Sequence, residues 1–254
     1  MIPLPLRRIA KGYIVTALVA ASFTHPCLAQ DTPEGWQVSF TPYAWLAGIK
    51  GQVGVGGFVT DVDLGFGDIL EDLDMALMGT LEARHGRWAG RLDMVYVSTL
   101  VEQDVTSPTP ATVDLEQDQV IAQPELGYAV LERPWGGIDA LVGFRYWHVS
   151  ADLNLSVSGG PNTSRERSRG WVDGTVGGRI RYQAGEKWRL YGKLDFGAGG
   201  SKFAWQGVGG AAYDLGRCCA LTAAYRHLDV DYDSDGFLFD TYLTGPALGV
   251  ELRF

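Results

Sequence analysis

Residues 245–254 read GPALGVELRF, and the order of residue types in this stretch decides what the chain can fold into. Pro246, Leu248, Val250, Leu252 and Phe254 share one parity, while Glu251 and Arg253 stand on the other. Successive side chains of a strand point to opposite faces, so this is a ribbon that is apolar on one side and ionic on the other. Termini usually fray into polar residues. A final strand with two such different faces needs two different surroundings.

The same alternation runs back through the chain. In WAGRLDMVYV, Trp88, Leu92, Met94 and Tyr96 oppose Arg91 and Asp93. In WRLYGKLDFGA, Trp188, Leu190, Leu194 and Phe196 oppose Arg189, Lys193 and Asp195. GWVDGTVGGRIRYQ sets Val172, Val176, Ile180 and Tyr182 against Asp173, Thr175, Arg179 and Arg181. No segment holds a helical apolar period over about eleven residues, and no apolar run approaches the ~20 of a membrane-spanning helix. The chain is expected to be all-β.

Alternating segments give ten candidate strands, at about 36–49, 75–84, 88–98, 118–132, 137–150, 170–183, 188–199, 202–214, 218–230 and 239–254. The connections RHGR, RPWGG, AGEK and DLGR are tight turns built on Gly, Pro and Asp. On the other side lie long polar or glycine-rich stretches at 50–74, 99–118 and 151–170. Short turns at one end and longer loops at the other, with an even strand count, predict a single closed antiparallel transmembrane β-barrel with periplasmic turns and extracellular loops.

The N-terminus reads as a signal peptide. Arg7, Arg8 and Lys11 precede the short apolar core YIVTALVAASF, and CLAQ places small residues for cleavage after Ala29. Residues 1–29 are thus expected to be removed, leaving a barrel domain over 30–254. Losing three cations and no anions takes the net charge from −9 to −12. Such acidity argues against nucleic acid as a partner.

Alternation alone leaves open which face is inside, since a soluble barrel would enclose the apolar face. Aromatics argue for lipid outside. Trp36, Trp88, Trp135, Trp188 and Phe254 fall at the short-turn ends of strands, and Trp147, Trp171 and Trp205 toward the loop ends, as two membrane-interface girdles would. The opposite face carries Glu82, Asp93, Glu125, Asp139, Asp173, Asp195, Asp214 and Glu251 against Arg91, Arg145, Arg179, Arg181, Arg189, Lys193, Arg226 and Arg253. Eight of each sign is the balance of an enclosed, paired network, because unpaired buried ions are costly.

The terminal strand agrees. Gly249, Leu252 and Phe254 resemble the terminal-strand signal by which outer-membrane barrels are recognised by their assembly machinery, although Ala247 departs from the usual polar residue. TPYAWLAGIKG, DILEDLDMALMGTLEARHGRW, GFRYW and YRHLDVDYD with GPALGVELRF resemble the uncharacterised small outer-membrane β-barrel proteins of Gram-negative bacteria, within the OmpA-like superfamily. That resemblance implies residence in the bacterial outer membrane, with lipid, lipopolysaccharide and the barrel-assembly machinery as partners. It brings no catalytic residue and no cofactor.

Two constellations could carry hydrolysis. His227, Asp229, Asp231 and Asp233 in RHLDVDYDSD invite comparison with omptin-like proteases, which use a His and acidic residues at the outer end of a barrel. His148 and Ser150 in WHVSADL have the spacing seen in lipid A deacylases, but no orienting carboxylate is evident. Rim carboxylates ordinarily solvate loops or bridge lipopolysaccharide through divalent cations. The glycine-rich GQVGVGGFV lacks the Lys of a phosphate loop. The expectation is a non-enzymatic barrel with a largely filled, charge-paired lumen and a role in envelope structure or surface interaction. The alternatives are a narrow porin-like channel gated by the 50–74 loop, or an outer-membrane hydrolase.

Overall fold

The computed structural model describes residues 35–55, 57–105, 111–157 and 163–254, so the expected signal peptide at 1–29 falls outside the described residues. In chain order the elements are β1 (Gln37–Trp45), β2 (Gly48–Val55), β3 (Phe58–Leu64), α1 (Phe66–Glu71), β4 (Leu73–His85), β5 (Trp88–Val105) and β6 (Ala111–Arg133). They continue as β7 (Gly136–Val157), β8 (Thr163–Ala184), β9 (Trp188–Gly199), β10 (Phe203–Asp214), β11 (Cys219–Ser234) and β12 (Phe237–Arg253).

Neighbours in sequence pair antiparallel from β4 to β12, and β1 closes the wall by pairing with both β4 and β12. Ten strands, β1 and β4 to β12, thus form a closed barrel, as the alternation predicts. Closure leaves the last strand no free edge. Ser39 faces Arg253 in register, and the Phe254 amide donates to the Val38 carbonyl at 2.9 Å.

The first expected strand is in fact two. β1 and β2 both run along β12, but the ribbon changes its other neighbour at Leu46–Ala47, from β4 to β3. The Leu46 amide donates to the Pro246 carbonyl at 2.8 Å, and a Cβ at Gly245 would sit 2.1 Å from the Leu46 carbonyl oxygen. Only glycine permits that approach. The 50–74 segment is therefore part of the wall: β2 pairs with β12 over 48–55, β3 turns back on β2, and α1 leads into β4. An inward-folding gate is not what it forms.

The other expected loops are also largely strand. β5 and β6 stay paired out to Val105 and Ala111, and β7 and β8 out to Leu155 and Thr163. β6 has 23 residues, where about 9–11 cross a bilayer, so these ribbons extend beyond it. Ala111, Val113 and Leu115 alternate with Thr112, Asp114 and Glu116, but this short run lies between the proline-containing SPTP and the polar EQDQ, which is why it reads as loop. At the β11–β12 turn Asp235 (φ 54°) and Gly236 (φ 73°) form the left-handed pair that matches the twist of a two-residue hairpin.

The outer wall is apolar. Phe40, Leu81, Met94, Leu126, Val142, Phe144, Val176, Ile180, Leu194, Phe196, Leu221, Leu248 and Val250 are all exposed. A continuous exposed band of this kind is untenable in water and suits acyl chains.

Candidate functional site: a lumen in two storeys

The inward side chains change character halfway along the strands. Toward the turns they are ionic, and toward the loops they are aromatic and aliphatic.

Nearest the turns, Arg179 bridges two carboxylates. Its Nη1 and Nη2 donate to Glu82 at 2.6 and 2.9 Å, and its Nε and Nη2 to Asp139 at 3.0 and 2.8 Å. Asp139 also accepts from Arg181, at 3.1 Å through both Nε and Nη2, and from Arg84 at 2.9 Å. Arg189 binds Asp214 (3.1 Å) and Glu251 (3.0 Å), and Arg253 binds the same two carboxylates.

Above this lies a buried chain of mixed ions and amides. Lys193 contacts Glu125 at 2.6 Å and Asp195 at 3.2 Å; Arg91 reaches Glu125 at 3.4 Å. Arg145 grips Asp195 and donates twice to Gln123, while Gln206 donates to Asp195 at 3.0 Å and accepts from Arg226 at 2.8 Å. Arg226 then meets Asp93 at 2.9 Å, a carboxylate that also accepts from Tyr43 and Thr80. Charge-assisted bonds of this density offset the desolvation of the ions.

Fifteen of the sixteen charges expected in the lumen thus meet opposite charge. The other is Asp173, which is buried but accepts from the backbone amide (2.7 Å) and hydroxyl (2.8 Å) of Ser201 instead. It ties the β9–β10 connection to the wall. The network also takes in Arg84, Tyr43, Gln123 and Gln206, and parity points to Arg84 and Gln123: Arg84 follows Glu82 by two, and Gln123 precedes Glu125 by two.

The second storey departs from the expectation of a lumen filled by paired charges. Trp45, Ile121, Trp147, Trp171, Leu228, Val230, Tyr232 and Phe239 pack inside the loop half of the barrel. Trp171 stacks on Tyr232 with ring centroids 4.1 Å apart and on Trp147 at 5.5 Å. Arg226 lies 4.5 Å over the Trp45 ring and joins the two storeys. Placing Trp147 and Trp171 in an interface girdle is therefore incorrect. They are 0 % and 6 % exposed, because they share parity with the inward Arg145 and Asp173.

The remaining girdle residues face outward or lie at the rim. Trp88 meets Tyr128, Trp135 meets Tyr182 and Trp188 meets Tyr213 at 4.8–6.0 Å near the turns, with Trp36 and Phe254 exposed beside them. Trp205 packs on His227 at 4.7 Å, nearer the loops. Gly249 sits at the β1–β12 seam, where a Cβ would come 2.7 Å from the Pro42 carbonyl oxygen; Leu252 pairs in register with Phe40.

Neither histidine of the two hydrolase constellations hydrogen-bonds a Ser or carboxylate partner among the described residues. Among the described residues no hydrogen bond joins His148 to Ser150, and the His148 ring lies beside Tyr146. The His227 ring is sandwiched between Trp205 and Tyr242 on the outer face. Asp231 and Asp233 pair with Lys202 at 3.7 and 3.0 Å, and the hydrogen bond to Asp233 raises the Lys202 amine above its ordinary pKa.

At the turn end the ionic storey encloses a cavity of about 1110 Å³. Its rim carries Trp36, Arg133, Arg217 and Phe254, and its lining reaches in to Tyr43, Asp93, Gln206 and Arg226. Beyond these stand the packed rings.

Closed wall, apolar exterior and ionic interior together define a transmembrane β-barrel of the Gram-negative outer-membrane class. The outer-membrane protease OmpT from Escherichia coli has a similar fold, with a TM-score of 0.59 at 10 % identity over 88 % of this chain and 98 % of that one. The translocator domain of the autotransporter NalP from Neisseria meningitidis (TM-score 0.47, 13 % identity, 89 % and 90 % covered) is a more distant likeness. So is Ail, the attachment invasion locus protein of Yersinia pestis (TM-score 0.37, 15 % identity, 87 % and 99 % covered). No family model and no curated protein matches the sequence.

Proposed function

We propose that this chain is a non-enzymatic, non-conducting outer-membrane barrel that serves envelope structure or surface contact, exported by removal of residues 1–29. One observation carries the reading: the loop half of the lumen is filled by the stacked rings of Trp147, Trp171 and Tyr232 with Ile121, Leu228 and Val230 around them. A ten-stranded bore is only somewhat wider than the ~8-stranded barrels that side chains fill, so one layer of large rings suffices to block it. The apolar exterior suits outer-membrane lipid. Asp229, Asp231 and Asp233 at the loop end suit cation-bridged lipopolysaccharide, and Gly249, Leu252 and Phe254 suit recognition by the barrel-assembly machinery. The paired ribbons β5–β6 and β7–β8, longer than the bilayer needs, are the surface a partner would meet.

Purified protein in planar bilayers tests the proposal. No discrete conductance above lipid background is expected, and deleting 50–74 should not create one through removal of a gate. Stepwise conductance from the unaltered protein would reject the closed-lumen reading.

A further inference from the structure

The turn-end cavity presents charge very unevenly. Among its described lining residues are ten Arg or Lys side chains and four acidic side chains, in a chain whose overall formal charge is −9. The balance of the wider network is restored from behind: Glu125, Asp139, Asp195 and Asp214 neutralise these cations from positions that do not line the space. The surface a solute meets is therefore guanidinium-rich. At the innermost end, Arg226 lines the cavity with a side chain only 5 % exposed, and its Nη2 makes no hydrogen bond. Beside the Trp45 ring that nitrogen is sealed from the space, so Arg226 bounds the inner end of the cavity, and the cations open to a solute lie nearer the mouth. Arg91, midway along the wall, and Arg181, near the turns, keep 22 % and 34 % of their side chains exposed.

We propose that this cavity is a binding site for a small polyanion of the phosphate or polyphosphate class, admitted from the periplasmic side. Guanidinium forks match tetrahedral oxyanions in two-point contact, and a site walled by strands and closed at its far end by packed rings weakens screening by water and salt. Arg91 and Arg181 capture the ligand, and Arg226 marks its deepest reach. The site is a receptor, because the stacked rings beyond it deny a path through.

The substitutions Arg91→Gln and Arg181→Gln can be made without stranding a buried ion. Glu125 keeps Lys193 at 2.6 Å, and Asp139 keeps Arg179 at 2.8 Å and Arg84 at 2.9 Å. Isothermal titration of the full barrel in detergent micelles at low ionic strength, with inorganic pyrophosphate, should show saturable binding. Each substitution should weaken it roughly tenfold, the range of a lost charge-assisted bond. Arg169→Gln, at an exposed loop-end residue 4.0 Å from Asp235, should change nothing. Unaltered protein supplies a second measurement: pyrophosphate should protect Arg91 and Arg181, but not Arg169, from phenylglyoxal, as mapped by peptide mass spectrometry. Absence of saturable heat, an equal effect of Arg169→Gln, or uniform protection overturns the proposal. Bilayer conductance is read separately, so failure of the closed-lumen reading and failure of this one are distinguishable.

Discussion

Replacing Arg179 with Met should destabilise the barrel by an amount the geometry predicts. Arg179 makes four short donor contacts, two to Glu82 and two to Asp139. After the substitution Asp139 still holds Arg84 and Arg181, at 2.9 and 3.1 Å. Glu82 keeps only the longer approach of Arg84 at 3.7 Å, so most of the loss is one carboxylate left nearly alone. Removing one partner of a buried pair costs roughly 3–5 kcal/mol. Glu82 lines the cavity and can recruit water there, which places the expected loss near the lower bound, about 3 kcal/mol. With a urea dependence of about 2 kcal/mol per molar, the unfolding midpoint in micelles, followed by tryptophan fluorescence, should fall by roughly 1.5 M. Adding Glu82→Gln to Arg179→Met removes the orphaned charge and should recover most of the loss, to within about 1 kcal/mol. A single variant that loses under ~1 kcal/mol, or a pair as unstable as the single, would refute the claim that these ions are held by each other.

The other predictions concern the aromatic storey and the seam. Trp147→Ala with Trp171→Ala empties the stack, and the folded double variant should show discrete bilayer conductance where the unaltered protein shows none; each truncation should also cost about 3–5 kcal/mol by urea titration. Gly245→Val places side-chain atoms against the Leu46 carbonyl, 2.1 Å from the Cβ position, and should abolish the heat-modifiable gel shift of a closed barrel. Asp173→Ala removes the acceptor for the Ser201 amide and hydroxyl and should cost about 1–3 kcal/mol without opening the lumen, read by the same titration and bilayer recordings.

Parity made much of this architecture legible. Arg189, Lys193 and Asp195 against Leu190, Leu194 and Phe196 state which faces differ, and the ionic terminal strand states that its partner must be the first. Trp171 shows where such reading stops. It lies one residue from the outward Val172 and two from the inward Asp173, so parity points it inward, yet its type suggests an interface. Asp173 is another case, since its partner Ser201 is in a connection whose path nothing local dictates.

Composition and alternation by themselves determined an all-β chain with one apolar and one ionic face, because a strand's two-residue repeat is a local property of the backbone. Only the tertiary structure decided the height at which Arg145 gives way to Trp147 and Arg226 to Leu228, and hence that the lumen is a cavity below and a packed stack above. That height follows from the mutual stagger of ten strands, and stagger is set by pairings between residues as far apart as Ser39 and Arg253.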